Sequence, residues 1–411
     1  MDEPYIAIGE KIDPEGYILT TYRVKTDLEM KKAARAIAAE ESTGTWTDIS
    51  TTSHEIIAEL GAKVIEIDGD IVRIAYPLAD FDPAGGGIPQ FLSVVAGNLF
   101  GLEDLKGVRL EDVRIPEAFA KHFPGPAFGI KGLRKLLDRP DKPFIGTIVK
   151  PKIGLPPRKF ADYVYEAGMG GLTNSKDDET LVDQDFCPLA DRTSAVADAL
   201  DRVFDEAGNR MIHAINVSSP HDKIIEFAEL AMANGARQIM VDVLTCGFDA
   251  VRILREDPSI NLPIHVHRTM HGALTRNPDH GIAMAVIARL VRLCGGDALH
   301  IGTFGVGKMH GSDLEDKRSQ NALIELFSNF KAVVPVCSGG IHPGLIPAII
   351  AIGGYDIQIQ AGGGVSGHPG GVREGAKAIC EAVDASVKGV ALEEYAADHE
   401  ALRLALEKWG V

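Results

Sequence analysis

A repeated alternation of short apolar runs and helical segments is the feature that most limits the possible fold. From Pro143 onward, the chain contains eight runs rich in strand-forming residues, each followed by a segment with helical periodicity. Plausible helices between the runs include 224–234, 281–293 and 370–383. Eight such units over about 250 residues predict an α/β fold with a (β/α)8 TIM barrel. The runs span residues 144–150, 171–176, 211–217, 238–244, 263–268, 298–303, 332–338 and 356–362.

An open, doubly wound sheet is the alternative for alternating strands and helices. A sheet of that type usually has a glycine-rich turn after its first strand. Here the first predicted strand is followed by Lys150-Pro151-Lys152. A turn of two lysines and a proline does not fit that pattern, so the sequence favours the barrel.

The first 125 residues have a different pattern. A strand is predicted at 17–24, a helix at 27–41 with Asp27 as its cap, and a hairpin at 62–76 around an Asp-Gly turn. We therefore predict an N-terminal α+β domain at 1–125 and a C-terminal TIM-barrel domain at 126–411.

The charge and composition exclude several classes of protein. The formal charge is -16, which makes a nucleic-acid partner a poor expectation and requires any anion site to be built from clustered cations. The five cysteines form no CxxC pair, as is typical of a reducing compartment. No run approaches the roughly 18 apolar residues of a membrane span, and the N-terminus lacks a signal-peptide pattern. We expect a cytoplasmic enzyme with no membrane partner.

Glycine pairs follow the last two predicted strands. Gly339-Gly340 and Gly362-Gly363 allow backbone amides to approach an anion closely. Ordinary tight turns are the alternative for either pair taken alone. Because the loops after strands seven and eight are the usual phosphate site of a TIM barrel, the two pairs together favour a phosphate ligand.

Cationic and imidazole side chains lie at other strand ends. His265, His267 and Arg268 end the fifth predicted strand, where a zinc site is a weak alternative because no third ligand has suitable spacing. Arg268 with His300 suits a second phosphate, whereas His265 is typical of a core histidine. Two phosphate sites imply an elongated sugar bisphosphate. Lys308, in a glycine-rich loop, predicts a lid lysine, with a solvated loop lysine as the alternative.

The segment 170–179 places one lysine beside three acids at the end of the second predicted strand, and a solvated charge run is the simple interpretation. The segment nevertheless resembles the metal site of the ribulose-bisphosphate carboxylase (RuBisCO) large subunit. It departs from that family at Thr173-Asn174, where Asp-Phe is usual. The resemblance implies that Lys176 reacts with CO2 to form a carbamate, which holds Mg2+ together with Asp178 and Glu179.

The resemblance extends from about residue 17 to the C-terminus, through segments in the family's order at 40–46, 97–98, 147–152, 265–271, 300–308, 338–340 and 362–368. It implies that Lys150 transfers protons, that Lys152 orients Lys150, and that His267 lies near the metal. Arg268 and His300 would bind one phosphate. The implied ligands of the other phosphate are Thr45, Trp46, Lys308, Gly340, Gly362 and Gly363, and Ser338 and Gly339 complete the substrate-binding set.

The resemblance also implies an assembly and a reaction. Glu40 and Asn98 would reach the active site of a partner subunit, which implies a homodimer with shared sites or a higher oligomer of dimers. The first hypothesis is Mg2+-dependent carboxylation of ribulose-1,5-bisphosphate to two 3-phosphoglycerate through an enediolate, with CO2 as the second substrate. One alternative is a RuBisCO-like enolase, isomerase or decarboxylase acting on another sugar phosphate. A second is an inactive paralogue that serves as a binding subunit.

Overall fold

The computed structural model describes residues 4–45, 49–308 and 312–411. Trp46, one of the residues predicted to bind phosphate, lies outside the described residues. Within the described part of the chain, every helix is too short or too polar to cross a membrane.

The chain forms two compact units. One consists of Met1–Pro124 together with Met270–Leu290, and the other consists of Gly125–Thr269 together with Val291–Val411. The first unit therefore includes a segment from the middle of the chain, which lies within the range predicted for the barrel domain.

The helices and strands are labelled in chain order. Up to residue 124 they are β1 Tyr17–Thr26, α1 Met30–Glu40, α2 His54–Leu60, β2 Lys63–Asp68, β3 Ile71–Pro77, α3 Gly87–Val95, β4 Leu105–Arg114 and α4 Glu117–Ala120. Up to residue 269 they are α5 Gly129–Leu137, β5 Phe144–Ile148, α6 Pro157–Met169, β6 Asn174–Lys176, α7 Leu189–Ala207, β7 Ile212–Asn216, α8 Ile224–Ala233, β8 Gln238–Asp242, α9 Val243–Cys246, α10 Phe248–Glu256 and β9 Ile264–His267. The remainder are α11 Gly272–Thr275, β10 Gly281–Ile282, α12 Met284–Cys294, β11 Ala298–Gly302, α13 Asp313–Ile324, β12 Val334–Ser338, α14 Ile346–Gly353, β13 Gln358–Gln360, α15 Gly363–Ser366, α16 Val372–Lys388, α17 Leu392–Ala396 and α18 Glu400–Trp409. Short 3-10 turns occupy Leu78–Asp80, Asn98–Gly101 and Pro343–Leu345.

The first unit is built on a sheet with the strand order β10-β4-β1-β3-β2. Residues of β1 alternate between buried and partly exposed, as expected for a strand with one face on a core. From the buried face, the Tyr22 hydroxyl donates to the Val95 carbonyl oxygen at 2.7 Å, which links the sheet to the end of α3. The predicted strand at 17–24 and the predicted hairpin are confirmed by β1 and by the antiparallel pair of β2 and β3.

Two predicted helix starts are wrong. α1 begins at Met30, and Asp27 does not cap it, because the Thr26 hydroxyl bonds to the Leu28 amide and holds the chain in a turn after β1. The helix predicted from Gly281 begins at Met284, because Gly281 and Ile282 pair in parallel with β4. In both places, a hydrogen bond outside the helix fixes the backbone before the helical pattern starts.

The second unit contains a closed barrel in the order β11-β12-β13-β5-β6-β7-β8-β9. Each neighbouring pair of strands is parallel, so the predicted (β/α)8 fold is confirmed. The helices pack apolar faces on the barrel. For example, Ile130, Leu133 and Leu137 of α5 are buried against Phe144 and Val336. Because the strands are parallel, their C-terminal ends meet at one end of the barrel.

Candidate active site

The ends of β5, β6, β8 and β9 bring a lysine-rich and acid-rich cluster together. β6 ends at Lys176, so the next three residues leave the sheet at the C-terminal end of the barrel. The backbone amide of Asp177 still bonds to the carbonyl oxygen of Ala214 in β7 at 3.1 Å, which extends the order of the strand into the charged segment. The barrel therefore fixes the positions from which the predicted metal-site side chains start.

Lys176 is buried, with only 2% of its surface exposed. Its Nζ donates to the Asp177 carbonyl oxygen at 2.7 Å and lies 3.6 Å from Glu179 Oε2. Burial lowers the pKa of Lys176, although the nearby carboxylates of Glu179 and Asp178 oppose this effect. The amine is thus held beside carboxylates in a site with little water.

The two acids predicted to bind metal have different partners. Asp178 Oδ2 accepts a hydrogen bond from Lys150 Nζ at 2.9 Å, and Glu179 Oε2 lies 3.7 Å from His267 Nε2. Burial is the largest single influence and would raise the pKa of Asp178, but the hydrogen bond and charge of Lys150, with Thr180 and Lys176, together lower the pKa below its usual value. For Glu179, burial is again the largest single influence, but His267, Lys176 and the backbone amide of Glu179 together lower the pKa. Both acids are therefore carboxylates at neutral pH.

The structure adds Asp242 to this cluster. Asp242 is buried at the end of β8, and its Oδ1 lies 3.2 Å from His267 Nδ1. Its only sequence signal was an acid near the end of the predicted strand 238–244. Burial and the cation of Lys176 lower the pKa of His267, which favours the neutral imidazole.

A second group of predicted residues meets at the ends of β9, β11 and β12. His300 Nδ1 lies 2.7 Å from Ser338 Oγ, and the rings of His267 and His300 are 4.7 Å apart. Arg268 is 8% exposed, and burial lowers its pKa to about 10. A guanidinium with so little water around it is a strong partner for an incoming anion.

The glycine loops lie beside the two predicted lysines. The Lys308 amide donates to the Gly339 carbonyl oxygen at 3.1 Å, and a Cβ built on Gly340 would lie 2.5 Å from Lys308 Cγ. A Cβ on Gly362 would lie 3.5 Å from Lys150 Cε. Gly340 has a φ of +78°, a conformation that favours glycine. These contacts bring the loops after β12 and β13 to the lysines on which the predicted site depends.

Some predicted site residues are not drawn into these contacts. Lys152 lies in the exposed turn after β5, and Gly363 begins the single turn of α15. In the first unit, Thr45 is exposed, whereas the Asn98 amide donates to Glu40 Oε1 at 3.4 Å. Neighbouring Glu41 fixes this pair, because its carboxylate accepts hydrogen bonds from the amides on both sides of Asn98.

A buried polar network behind the cluster was missed by sequence reasoning. Asp177 points away from Lys176 and is fully buried, with Oδ1 at 2.8 Å from His213 Nε2 and Oδ2 at 3.1 Å from Arg192 Nη2. Asp177 Oδ2 also accepts from the Asn216 amide at 2.8 Å, and His213 Nδ1 lies 2.7 Å from Ser175 Oγ. These bonds hold the backbone from which Lys176 and the two acids predicted to bind metal project. The sequence signal was a histidine in an apolar strand and an arginine in the buried face of α7.

Family comparisons cover nearly the whole chain. Residues 129–409 match the catalytic domain of the ribulose bisphosphate carboxylase large chain, and residues 10–119 match its N-terminal domain. The chain belongs to the ribulose bisphosphate carboxylase large-chain family. The ribulose bisphosphate carboxylase of Methanocaldococcus jannaschii is 41% identical over 96% of this chain and 97% of the relative.

Solved structures of RuBisCO share the fold closely. Octameric ribulose-1,5-bisphosphate carboxylase/oxygenase from Pyrococcus horikoshii, in complex with sulfate, superposes with a TM-score of 0.92 at 37% identity, covering 99% of this chain and 96% of that one. Dimeric archaeal RuBisCO from Hyperthermus butylicus gives a TM-score of 0.89 at 37% identity, covering 99% of this chain and 98% of that one. The resemblance on which the sequence hypotheses rest is therefore confirmed along nearly the full chain.

Proposed function

We propose that this chain is a ribulose-1,5-bisphosphate carboxylase, which converts ribulose-1,5-bisphosphate and CO2 into two molecules of 3-phosphoglycerate. The observation that carries the proposal is the cluster of Lys176, Asp178, Glu179 and Lys150, where the lysines lie 3.6 Å and 2.9 Å from the carboxylates. Relatives at about 40% identity over nearly the whole chain are named as this carboxylase, which supports the same reaction.

The donor set fits Mg2+, a hard cation that takes oxygen ligands. Asp178 and Glu179 supply carboxylate oxygens. Within the residues that the structure describes, no three His, Cys, Asp or Glu side chains form a group that could hold a metal. A third oxygen ligand from Lys176, as the carbamate that it forms with CO2, would complete the set. When bound, Mg2+ would polarise the substrate ketone and acidify the neighbouring C–H.

The substrate's two phosphates would be held on different strand ends. Arg268 directly follows β9, and the glycine loops follow β12 and β13. Both ring nitrogens of His300, within β11, face Ser338 and His265, so Arg268 is the group that binds the first phosphate. On this arrangement, Lys308 neutralises the carboxylate that forms when CO2 adds, and Lys150 returns a proton from Nζ to the product carbon. Ser338 Oγ contacts a substrate oxygen. The local cations offset the overall charge of -16, which would otherwise repel a bisphosphate.

A direct assay tests the function. The protein is incubated with ribulose-1,5-bisphosphate, Mg2+ and labelled bicarbonate, and acid-stable label is measured in 3-phosphoglycerate. We expect label that requires both Mg2+ and the bisphosphate. Exchange of the substrate C–H proton with solvent, without any labelled product, would instead support the enolase alternative. A protein that shows neither exchange nor labelled product would support the binding-subunit alternative.

Lys308→Met separates carboxylation from enolisation. Only CO2 addition creates a new carboxylate, so the variant is expected to lose carboxylation by roughly 30- to 1,000-fold, which corresponds to about 2–4 kcal/mol of transition-state stabilisation. Exchange of the substrate C–H proton is expected to persist, and both rates are measured on the same preparation. If exchange and carboxylation fall together, Lys308 is instead a ligand needed for substrate binding.

We also propose a homodimer, or a higher oligomer of dimers, in which Glu40 and Asn98 of one subunit complete the site of the other. The 3.4 Å contact between these two side chains, fixed by Glu41, supports the proposal because it presents them as one group. The octameric and dimeric RuBisCO structures that share the fold support it further.

Subunit exchange tests the shared site. Glu40→Gln and Lys176→Ala chains are each expected to be inactive, and mixing them is expected to restore up to about a quarter of wild-type activity, because a random dimer has one intact site in half of its population. Activity is measured after exchange, which is followed by mass spectrometry of differently tagged chains. Demonstrated exchange without recovered activity would place all essential groups in one subunit.

A further inference from the structure

Three side chains, from the interiors of β9 and β11 and the C-terminal end of β12, form a continuous hydrogen-bonded row. Ser338 Oγ lies 2.7 Å from His300 Nδ1, and His300 Nε2 lies 2.8 Å from His265 Nε2. His265 and His300 are 1% and 2% exposed, whereas Ser338 is partly exposed. The row therefore begins at a residue of the proposed substrate site and ends at a histidine that sequence reasoning assigned to the core.

The protons along this row are coupled. A neutral imidazole has one N–H donor and one acceptor nitrogen, so one of the two facing Nε2 atoms carries a hydrogen and the other does not. Burial lowers the pKa of both His265 and His300 well below the usual value, which favours the neutral form of each ring. Consequently, the tautomer of His265 determines the tautomer of His300.

The tautomer of His300 in turn determines what Ser338 can offer. If His300 donates to His265, Nδ1 of His300 is an acceptor, and the Ser338 hydroxyl donates its only hydrogen to that nitrogen. If His265 donates to His300, Nδ1 carries the hydrogen and donates to Ser338 Oγ. The Ser338 hydrogen is then available to a substrate oxygen.

We infer that His265 is a positioning residue for the reaction: by donating Nε2–H to His300, it leaves the Ser338 hydroxyl free to donate to the substrate. The inference rests on the proposed function, in which negative charge develops on substrate oxygens. A donor aimed at such an oxygen stabilises the transition state, whereas a serine that can only accept does not. His265 thus acts without touching the substrate, through two hydrogen bonds.

A double-mutant cycle with Ser338→Ala tests this coupling. His265→Leu removes the donor, and we expect kcat for carboxylation to fall about 10- to 100-fold with a smaller change in KM, as is usual for partners that orient a functional group. His265→Gln can still place an amide donor near His300, so it is expected to recover most of the loss. In a Ser338→Ala background, His265→Leu is expected to lower kcat by less than about threefold.

Val266→Ala is the matched control, because Val266 is buried on the same strand and alternates to the other face. It is expected to lower the melting temperature and leave kcat unchanged. If the reductions in kcat from His265→Leu and Ser338→Ala multiply in the double variant, the inference is overturned. It is also overturned if kcat of His265→Gln is no higher than that of His265→Leu. A wild-type protein that does not carboxylate would overturn the proposed function and this inference together, whereas an active wild type with independent losses overturns only the inference.

Discussion

Lys176→Met is expected to abolish Mg2+-dependent carboxylation, with a loss of at least about 1,000-fold, since losing a metal ligand removes several kcal/mol of transition-state stabilisation. Methionine fills the buried volume of the lysine side chain. Each acid also keeps a partner, because Asp178 bonds to Lys150 and Glu179 faces His267. The fold is therefore expected to persist, as checked by circular dichroism, while fixation of labelled CO2 disappears.

Lys159→Met is the control for Lys176→Met. Lys159 lies on α6 with 72% of its side chain exposed, so its replacement is expected to change activity less than about twofold. Binding of Mg2+ by calorimetry provides a second measurement that does not depend on turnover. Normal metal-dependent activity in Lys176→Met, without added small acids, would remove the carbamate from the proposed site.

Asp177→Asn is expected to produce the largest loss of stability, about 3–5 kcal/mol in the free energy of unfolding. The variant leaves the guanidinium of Arg192 buried without its counter-charge, although Arg192 also donates to the carbonyl oxygens of Cys187 and Val182. His213, Asn216 and Arg192 all donate to Asp177. An asparagine side chain has only one acceptor oxygen where aspartate has two, so at least one of these donors would lose its partner. Urea unfolding measures the change.

Two further variants show whether charge is the cause. Asp201→Asn removes an exposed partner of Arg237, where the acid is 65% exposed, and is expected to change stability by less than about 1 kcal/mol. Adding Arg192→Met to Asp177→Asn removes the unpaired cation and is expected to recover part of the stability. If the losses of stability in Asp177→Asn and Arg192→Met simply add in the double variant, the ion pair is not the source of the loss.

The barrel could be predicted because a local pattern encodes it. Each strand is a short apolar run, and each helix has its own periodicity. Strands that alternate with helices lie parallel, and closing the sheet of parallel strands gives the barrel. The location of the candidate site follows from the fold, because the C-terminal ends of parallel strands meet at one end of a barrel whatever side chains they carry. Lys150, Lys176 and Lys308 could therefore be predicted as candidate site residues, whereas the distances among them could not.

The network around Asp177 could not be predicted for a physical reason. Asp177 looks like one more acid in a charged run, and only the tertiary structure shows that it is buried beside Arg192, which follows it by 15 residues. The same applies to His265, whose role depends on two rings from different strands. The starts of α1 and α12 were mispredicted because the helical pattern alone does not show where the backbone is held outside the helix. The Thr26 hydroxyl holds the chain before α1, and pairing with β4 holds the chain before α12.

The return of the chain to the first unit at β10 has a consequence for synthesis. β4 ends at Arg114, and its parallel neighbour begins only at Gly281. At a translation rate of about 5–20 residues per second, roughly 8 to 33 s pass between the two. During that interval, the backbone groups of β4 around Arg109 and Leu110 have no strand on that side. The nascent N-terminal unit therefore presents an open sheet edge to the cell until most of the barrel has been made.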